Sequence, residues 1–182
     1  MTIKDKKYIL AIDHGTGGPK CAIVSTHGDV LNWAFEEVPL HTERGGLAEQ
    51  DPADWWEGLI KASKRVIDDC EVGPEDIIGV CNSSQWSGTV AIGKDKAPLM
   101  NSMIWMDTRG AKYMKKFHKS LLQVDGYNIL KMLSWIKRTA GGPSLSGKDP
   151  IANNVKLKNE KPEIYKKTYK RFYKYRTNIY QL

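Results

Sequence analysis

Residues 9–24 read ILAIDHGTGGPKCAIV, and the predicted architecture can be worked out from this stretch. Two apolar runs, rich in Ile, Val and Ala, flank a short segment that contains three glycines. Apolar runs of this length bounded by glycine are typical of buried strands. We therefore expect two antiparallel strands, over residues 8–13 and 20–26. An acidic residue, Asp13, ends the first strand, and Lys20 begins the second.

The turn between these strands has the composition of an anion-binding loop. Glycine accepts positive φ at little cost, so successive backbone N–H groups can converge into a concave nest. Thr16 adds a hydroxyl donor and Lys20 a positive charge. Asp13 would repel a phosphate directly, but it could hold Mg²⁺ through water, with the metal bridging to the phosphates. Each of these parts has a role if the ligand is a nucleoside triphosphate.

Two considerations argue against reading this turn as a phosphate-binding loop. The common phosphate loops GxxxxGK[ST] and GxGxxG open a helix, whereas a strand follows here. A tight hairpin could also need glycines for its turn alone. The acidic strand end favours the binding interpretation, because a carboxylate at the end of an apolar strand costs stability unless it has a role.

The rest of the chain predicts an α/β layer fold. VLNWAFEEV at 30–38 continues the meander as a third strand, and residues 39–50 have the Pro, Gly and charge content of a loop. Further strands are predicted over 77–84, 89–93 and 102–107. Shorter helical patterns follow at 111–117, 129–136, 150–158 and 162–170.

One long helix has an unusually clear start. Asp51 can cap it, and Pro52 fits its first position. Its apolar residues recur at helical spacing, which predicts one buried face. That face comprises Trp55, Leu59, Ala62, Val66 and Cys70. Gly73–Pro74 is predicted to end the helix.

Composition indicates a globular chain without a membrane segment or a secretory signal. Of the 182 residues, 41% are apolar and 27% charged. No apolar run approaches the roughly 20 residues that span a bilayer, and the charged N-terminus lacks a signal-peptide pattern. We therefore expect a cytoplasmic protein. The three cysteines are far apart and are interpreted as buried reduced thiols, and no metal-binding cluster is predicted.

The charge is uneven. The net charge is +7, and residues 160–182 hold seven basic residues, two acidic ones and five of the eight tyrosines. We predict a domain over 1–159 and a distinct basic, tyrosine-rich tail over 160–182. Such a tail could track phosphates and stack bases, but charge runs are more often solvated, so nucleic-acid binding is the disfavoured alternative.

Several stretches resemble one protein family. Asp13, Gly15, Thr16 and Lys20 match the D-x-G-T-x-x-x-K phosphate motif of the actin-like ATPase superfamily. Within it the chain is similar to the N-terminal part of the first domain of the FGGY carbohydrate kinases, most of all to the xylulokinase-like members. Four further segments carry the resemblance: AEQDPADWW at 48–56, IIGVCNSSQWSGTVAI at 77–92, SMIWMDTRG at 102–110 and KPEIY at 161–165.

The resemblance implies a fold and an activity. The fold would be RNase H-like, with a mixed five-stranded sheet in the order 3-2-1-4-5 flanked by helices, here incomplete. The activity would be that of a carbohydrate kinase, a transferase of carbohydrate metabolism that uses Mg-ATP to phosphorylate a sugar or polyol hydroxyl. The implied phosphate- and magnesium-binding residues are Asp13, Gly15, Thr16, Gly17, Gly18 and Lys20.

Side chains after a buried strand are candidates for sugar contacts. A sugar site needs polar groups for hydroxyls and a flat apolar wall for the C–H face. Gln85 supplies an amide, Trp86 a wall and Ser87 a hydroxyl. The alternative for Trp86 is a core position. Xylulokinases carry Met-His where this chain has Trp86 and Ser87, which leaves the sugar open.

A second group of candidates follows the strand predicted over 102–107. Trp105, Asp107 and Arg109 alternate, so on an extended strand end they would share a face. Asp107 and Arg109 could contact sugar hydroxyls, or they could form a structural ion pair.

The resemblance also implies what lies elsewhere. In the family the catalytic base, the second phosphate motif and the adenosine pocket come after the point that corresponds to Leu182. We therefore expect a truncated chain, inactive by itself as a kinase. The alternative is a non-catalytic sugar- or nucleotide-binding subunit that self-associates through exposed apolar surface.

Overall fold

The computed structural model describes residues 7–121, 123–139, 141–142 and 144–173. Within these residues the strands are β1 Tyr8–His14, β2 Pro19–Ser25, β3 Val30–Phe35, β4 His41–Glu43, β5 Leu47–Gln50, β6 Ile77–Ser84, β7 Thr89–Ile92, β8 Ser102–Met103, β9 Gln123–Val124, β10 Tyr127–Asn128 and β11 Lys170–Tyr173. The helices are α1 Pro52–Cys70, α2 Ala111–His118, α3 Ile129–Thr139, α4 Pro150–Glu160 and α5 Pro162–Lys167, with a 3₁₀ turn at Pro74–Asp76.

The chain divides into two compact units. Within the described residues the first unit comprises 7–40 and 50–86, and the second comprises 41–49 and 87–173. The boundary predicted at residue 159, between a domain and a basic tail, stays a prediction. Residues 174–182 of that tail lie outside the described residues.

The first unit is built on a four-stranded sheet in the order β3-β2-β1-β6. The three N-terminal strands pair antiparallel, as predicted, and β6 pairs parallel with β1. These strands correspond to the first four of the predicted order 3-2-1-4-5. The fifth strand of that order has no counterpart in the described part of this sheet.

Helix α1 covers one face of this sheet. The Asp51 carboxylate accepts a hydrogen bond of 2.8 Å from the Ala53 N–H, which confirms the predicted cap. The core comprises Leu10, Cys21, Ile23, Ala34, Ala62 and Val66. Burying a side chain such as Val66, which is fully buried, contributes roughly 1.5–3 kcal/mol. The helix ends at Cys70, three residues before the predicted stop, because Glu71 adopts a left-handed φ of 51°.

The opposite face of the sheet is only partly covered. The strand register places Trp33, Ala22, Ala11 and Cys81 in one row across the four strands. Trp33 is 64% exposed and Cys81 is also exposed, so the prediction of three buried thiols is wrong for Cys81. Trp33, in β3, lies on this open side.

The second unit contains a sheet in the order β11-β7-β8-β5-β4. The segment 39–50, predicted as a loop, contains the β4–β5 hairpin, in which His41 pairs with Glu49. The strand predicted over 102–107 is only two residues long, because the chain turns where the Asp107 N–H donates to the Ile104 carbonyl at 3.0 Å. A small core of Ala91, Met103 and Leu157 joins this sheet to α4.

The predicted helices of the second unit are confirmed as α2, α3, α4 and α5, with ends shifted by one to three residues. The β9–β10 hairpin before α3 was not predicted. In the described part of the chain, no helix has both the length and the apolar character needed to cross a membrane.

Candidate functional site

The loop between β1 and β2 holds two charged side chains next to each other. The antiparallel register pairs Asp13 with Lys20, and their side chains form an ion pair of 3.4 Å. The Asp13 and Lys20 side chains are 56% and 51% exposed. An exposed pair of this kind contributes at most about 1 kcal/mol, so a ligand can replace it at little cost. Because the carboxylate is accessible and offers hard oxygen ligands, it fits the predicted water-mediated contact with Mg²⁺.

Glycine is required at one position of this loop. Gly18 has a φ of 136°, and a Cβ added there would lie 1.9 Å from the Glu36 carbonyl oxygen. At Gly17 the nearest atom would be a Phe35 ring carbon at 4.0 Å, so a side chain has room there. At Gly15 a Cβ would lie 3.2 Å from the Lys20 ammonium nitrogen. The backbone is therefore held close to the next segment at Gly18, and the rest of the loop stays open.

The loop is joined to the end of β6 by side-chain hydrogen bonds. The Thr16 hydroxyl donates to Gln85 Oε1 at 2.9 Å, and the Gln85 N–H donates to the His14 carbonyl at 2.8 Å. Gln85 Nε2 donates to Gln50 Oε1 at 3.3 Å. Thus the structure brings together Thr16 and Gln85, which the sequence assigned separately to phosphate and to sugar.

The two residues after Gln85 differ sharply in exposure. Trp86 is 65% exposed, so its indole is available as an apolar wall and the alternative of a core position does not hold. Ser87 is buried at 1% exposure, has a φ of 50°, and donates its hydroxyl to the Lys148 carbonyl at 3.1 Å. A sugar contact in which Ser87 donates would need that hydrogen bond to open, and one in which it accepts would need the buried hydroxyl to become exposed.

The second unit contains a buried ionic cluster. Asp107 is fully buried and accepts from Arg109 Nε at 2.9 Å and from the Ala48 N–H at 3.3 Å. Arg109 also donates to Glu49. Burial opposes the charged guanidinium, but the carboxylates of Asp107 and Glu49 outweigh it and raise the pKa of Arg109. This geometry favours the structural ion-pair alternative for Asp107 and Arg109.

Trp105 does not share a strand face with Asp107 and Arg109, because residues 105–106 form a turn. This corrects the predicted alternation. The Trp105 side chain is 37% exposed, and the Lys148 ammonium lies 5.4 Å from its ring centroid. Of this second group, Trp105 is the residue that remains accessible to a ligand.

Two residues with structural importance were not identified from the sequence. Gln50 and Glu49 lie in the AEQDP stretch, which was quoted as a family segment but given no role. Their bonds to Thr16, Gln85 and Arg109 join residues 34 to 60 positions apart, so only that segment match could have drawn attention to them. In the described residues, no group of three or more His, Cys, Asp or Glu side chains could hold a metal ion.

A known protein family matches most of the chain, including the four-stranded sheet and the loop between β1 and β2. The family model described as "FGGY family of carbohydrate kinases, N-terminal domain" matches residues 8–141. The chain belongs to the FGGY family of carbohydrate kinases. This confirms the resemblance inferred from the phosphate motif and the four further segments.

Similar proteins within the FGGY family include two kinds of kinase. The chain is 33% identical to a xylulose kinase of Bacillus subtilis, over 72% of this chain and 28% of that protein. It is 27% identical to a glycerol kinase of Thermococcus onnurineus, over 71% of this chain and 28% of that protein. The chain thus matches less than a third of the length of these relatives.

Solved structures confirm the fold class. A gluconate kinase structure from Lactobacillus acidophilus has a TM-score of 0.76 at 24% identity, covering 92% of this chain and 31% of that one. The FGGY fold therefore extends over most of the chain, and the actin-like, RNase H-like α/β class is confirmed.

Proposed function

We propose that this FGGY chain contributes to phosphoryl transfer from Mg-ATP to a hydroxyl group of a sugar or polyol, as in a xylulokinase-like carbohydrate kinase. The observation that carries the proposal is the accessible Asp13–Lys20 pair at a loop where Gly18 admits no side chain. Family membership supports the same activity. The kinase activity and the substrates belong to the proposal, since the chain spans 28% of the first relative.

The charged and backbone groups of the β1–β2 loop would have different roles in binding Mg-ATP. Lys20 would contact phosphate oxygens, and the backbone N–H groups near Gly18 would line the anion site. Asp13 would hold Mg²⁺ through water. The cation, when bound, would neutralise part of the phosphate charge. Once a nucleotide binds, Lys20 exchanges its contact with Asp13 for one with phosphate.

The sugar contacts are assigned to residues of each unit separately. In the first unit, Gln85 would offer its remaining amide hydrogen and lone pair to hydroxyls, and Trp86 would face the C–H surface of the sugar. In the second unit, Trp105 is the accessible candidate, whereas Asp107 and Arg109 hold each other. None of the residues assigned here is a general base that could accept the hydroxyl proton, so the isolated 182-residue polypeptide is expected to bind ligands weakly without turnover.

A titration with a matched control variant tests this function. Mg-ATP is titrated calorimetrically into the wild-type chain, Asp13→Asn and Asp76→Asn. Asp76 forms the same kind of exposed pair, with Lys7 at 3.4 Å, so Asp76→Asn removes an equivalent carboxylate from the same unit. We expect Asp13→Asn alone to weaken Mg-ATP binding. Equal binding by all three proteins, or no binding by wild type, would refute the proposal.

The choice of substrate is tested in parallel. D-xylulose, D-gluconate and glycerol are titrated into the same chain, and a coupled ADP-release assay monitors turnover. Binding of at least one of these compounds is expected, with no ADP release by the isolated polypeptide. Turnover by the isolated polypeptide would contradict the expectation that it binds ligands without catalysing phosphoryl transfer.

We also propose that a second copy of the chain covers the open face of the first unit. The row of Trp33, Ala22, Ala11 and Cys81 presents apolar side chains across four strands. Exposed apolar surface of this kind favours association.

A further inference from the structure

Gln50 uses its full hydrogen-bonding capacity inside the first unit. Its side chain is completely buried, and Nε2 donates to the Thr16 carbonyl at 2.8 Å and to the Pro39 carbonyl at 3.3 Å. Its Oε1 accepts from Trp55 Nε1 at 3.1 Å and from Gln85 Nε2 at 3.3 Å. A side-chain amide has two donor hydrogens and two acceptor lone pairs, so all four are satisfied.

The partners of Gln50 leave its amide a single orientation. The indole of Trp55 can only donate, and the two carbonyls can only accept. If the amide were rotated by 180°, donor would face donor and acceptor would face acceptor, leaving buried groups unpaired at a cost of about 1–3 kcal/mol each. The oxygen of Gln50 must therefore point at Trp55 and at Gln85.

The orientation of the Gln50 amide determines which atoms of Gln85 and Thr16 donate and which accept. Because Gln85 meets the oxygen of Gln50, it must present its nitrogen there and its oxygen to Thr16. The Thr16 hydroxyl must then donate its proton to Gln85. It follows that Thr16 is not a proton donor to phosphate while these bonds are intact, contrary to the role expected from the sequence.

We propose that Gln50 is a positioning residue that fixes the amide of Gln85 for the sugar and anchors the phosphate loop at Thr16. The proposal rests on the function proposed above. Gln50 itself has no contact with a ligand: it acts through Gln85 on one side and through the Thr16 backbone on the other. One buried amide thereby links the loop assigned to phosphate with the strand end assigned to sugar.

The first test is made on the wild-type chain by NMR. The side-chain amide of Gln85 is expected to show dispersed, slowly exchanging signals, because one hydrogen is bonded to Gln50 in a buried position. Signals that exchange at the rate of a free glutamine amide would overturn the proposal. This measurement needs no ligand and no variant, so it tests the hydrogen bond between Gln85 and Gln50 even if a variant fails to fold.

The second test compares two variants. Gln50→Met keeps the length of the side chain and removes all four hydrogen bonds. Ser63→Ala is the control, since it removes a partly buried hydroxyl that contacts Cys21 at 3.3 Å in the α1 core of the same unit. We expect Gln50→Met to give Gln85 free-amide signals and to weaken D-xylulose and Mg-ATP binding about tenfold. Ser63→Ala should change neither.

The outcomes separate this proposal from the function on which it rests. Equal ligand affinities for Gln50→Met and Ser63→Ala would overturn the positioning role. If the wild-type chain binds neither D-xylulose nor Mg-ATP, the proposed function fails. The Gln85 signals then still test whether that amide is hydrogen-bonded to Gln50.

Discussion

Replacing Gly18 by alanine is expected to destabilise the first unit strongly, whereas the same change at Gly17 is not. At Gly18 the added Cβ would lie 1.9 Å from the Glu36 carbonyl oxygen, at a φ of 136°. The backbone strain costs about 1–3 kcal/mol and the forced repacking a similar amount. We therefore expect a loss of about 3 kcal/mol in the free energy of unfolding. In a chain of this size that lowers Tm by about 6–12 °C.

Gly17→Ala is the matched control for this prediction. Its Cβ would meet only a Phe35 ring carbon at 4.0 Å, and its φ lies outside the left-handed region. The expected effect ranges from none to a gain of about 1 kcal/mol, because alanine restricts the unfolded chain. Both variants are measured by thermal and urea denaturation followed by circular dichroism. Equal stability of the two variants would refute the close approach of the loop to Glu36.

Three other changes test separate parts of the structure. Asp107→Asn should cost about 3 kcal/mol in urea denaturation, because the buried Arg109 guanidinium loses a charged partner; wild-type stability would contradict the cluster. Burial opposes ionisation of Glu160, but hydrogen bonds from two lysines and a tyrosine lower its pKa from 4.5 to about 2. Ionised Glu160 therefore stabilises the fold fully above pH 4.5, and this stabilisation is lost as the pH falls towards 2. Glu160→Gln should flatten the pH dependence of the free energy of unfolding across that range, and an unchanged pH profile would contradict this prediction. Trp33→Ser should reduce self-association in sedimentation velocity, whereas Trp56→Ser, at a similarly exposed side chain on α1, should not; equal effects would exclude the Trp33 face.

Local sequence signals predicted the first unit well. The apolar runs on either side of the glycines predicted β1 and β2, and Asp51–Pro52 predicted the start of α1. The β4–β5 hairpin was missed because its residues, PLHTERGGLAEQ, combine Pro, Gly and charge. All three residues of β4 are exposed, so no hydrophobic alternation marks that strand.

The sequence predicted the part of the site that depends only on two strands adjacent in the chain. The hairpin register alone places Asp13 beside Lys20. The role of Gln50 could not be predicted, because it depends on partners 34 and 35 residues away, in Thr16 and Gln85. The shared face of Trp105, Asp107 and Arg109 was wrong for a related reason. The chain turns there to bury Asp107 with its partners, which outweighs the strand propensity of the apolar run.

Phosphate binding by the loop between β1 and β2 is tested most directly by mapping Mg-ATP on the chain by NMR. Backbone amide shifts are followed while Mg-ATP is added to ¹⁵N-labelled wild-type protein and to Lys20→Met. If the loop between β1 and β2 binds phosphates, the largest shifts will fall within residues 13–20 and will be strongly reduced in Lys20→Met. Shifts that lie mainly outside this loop, or that are the same in both proteins, would exclude it as the phosphate-binding site.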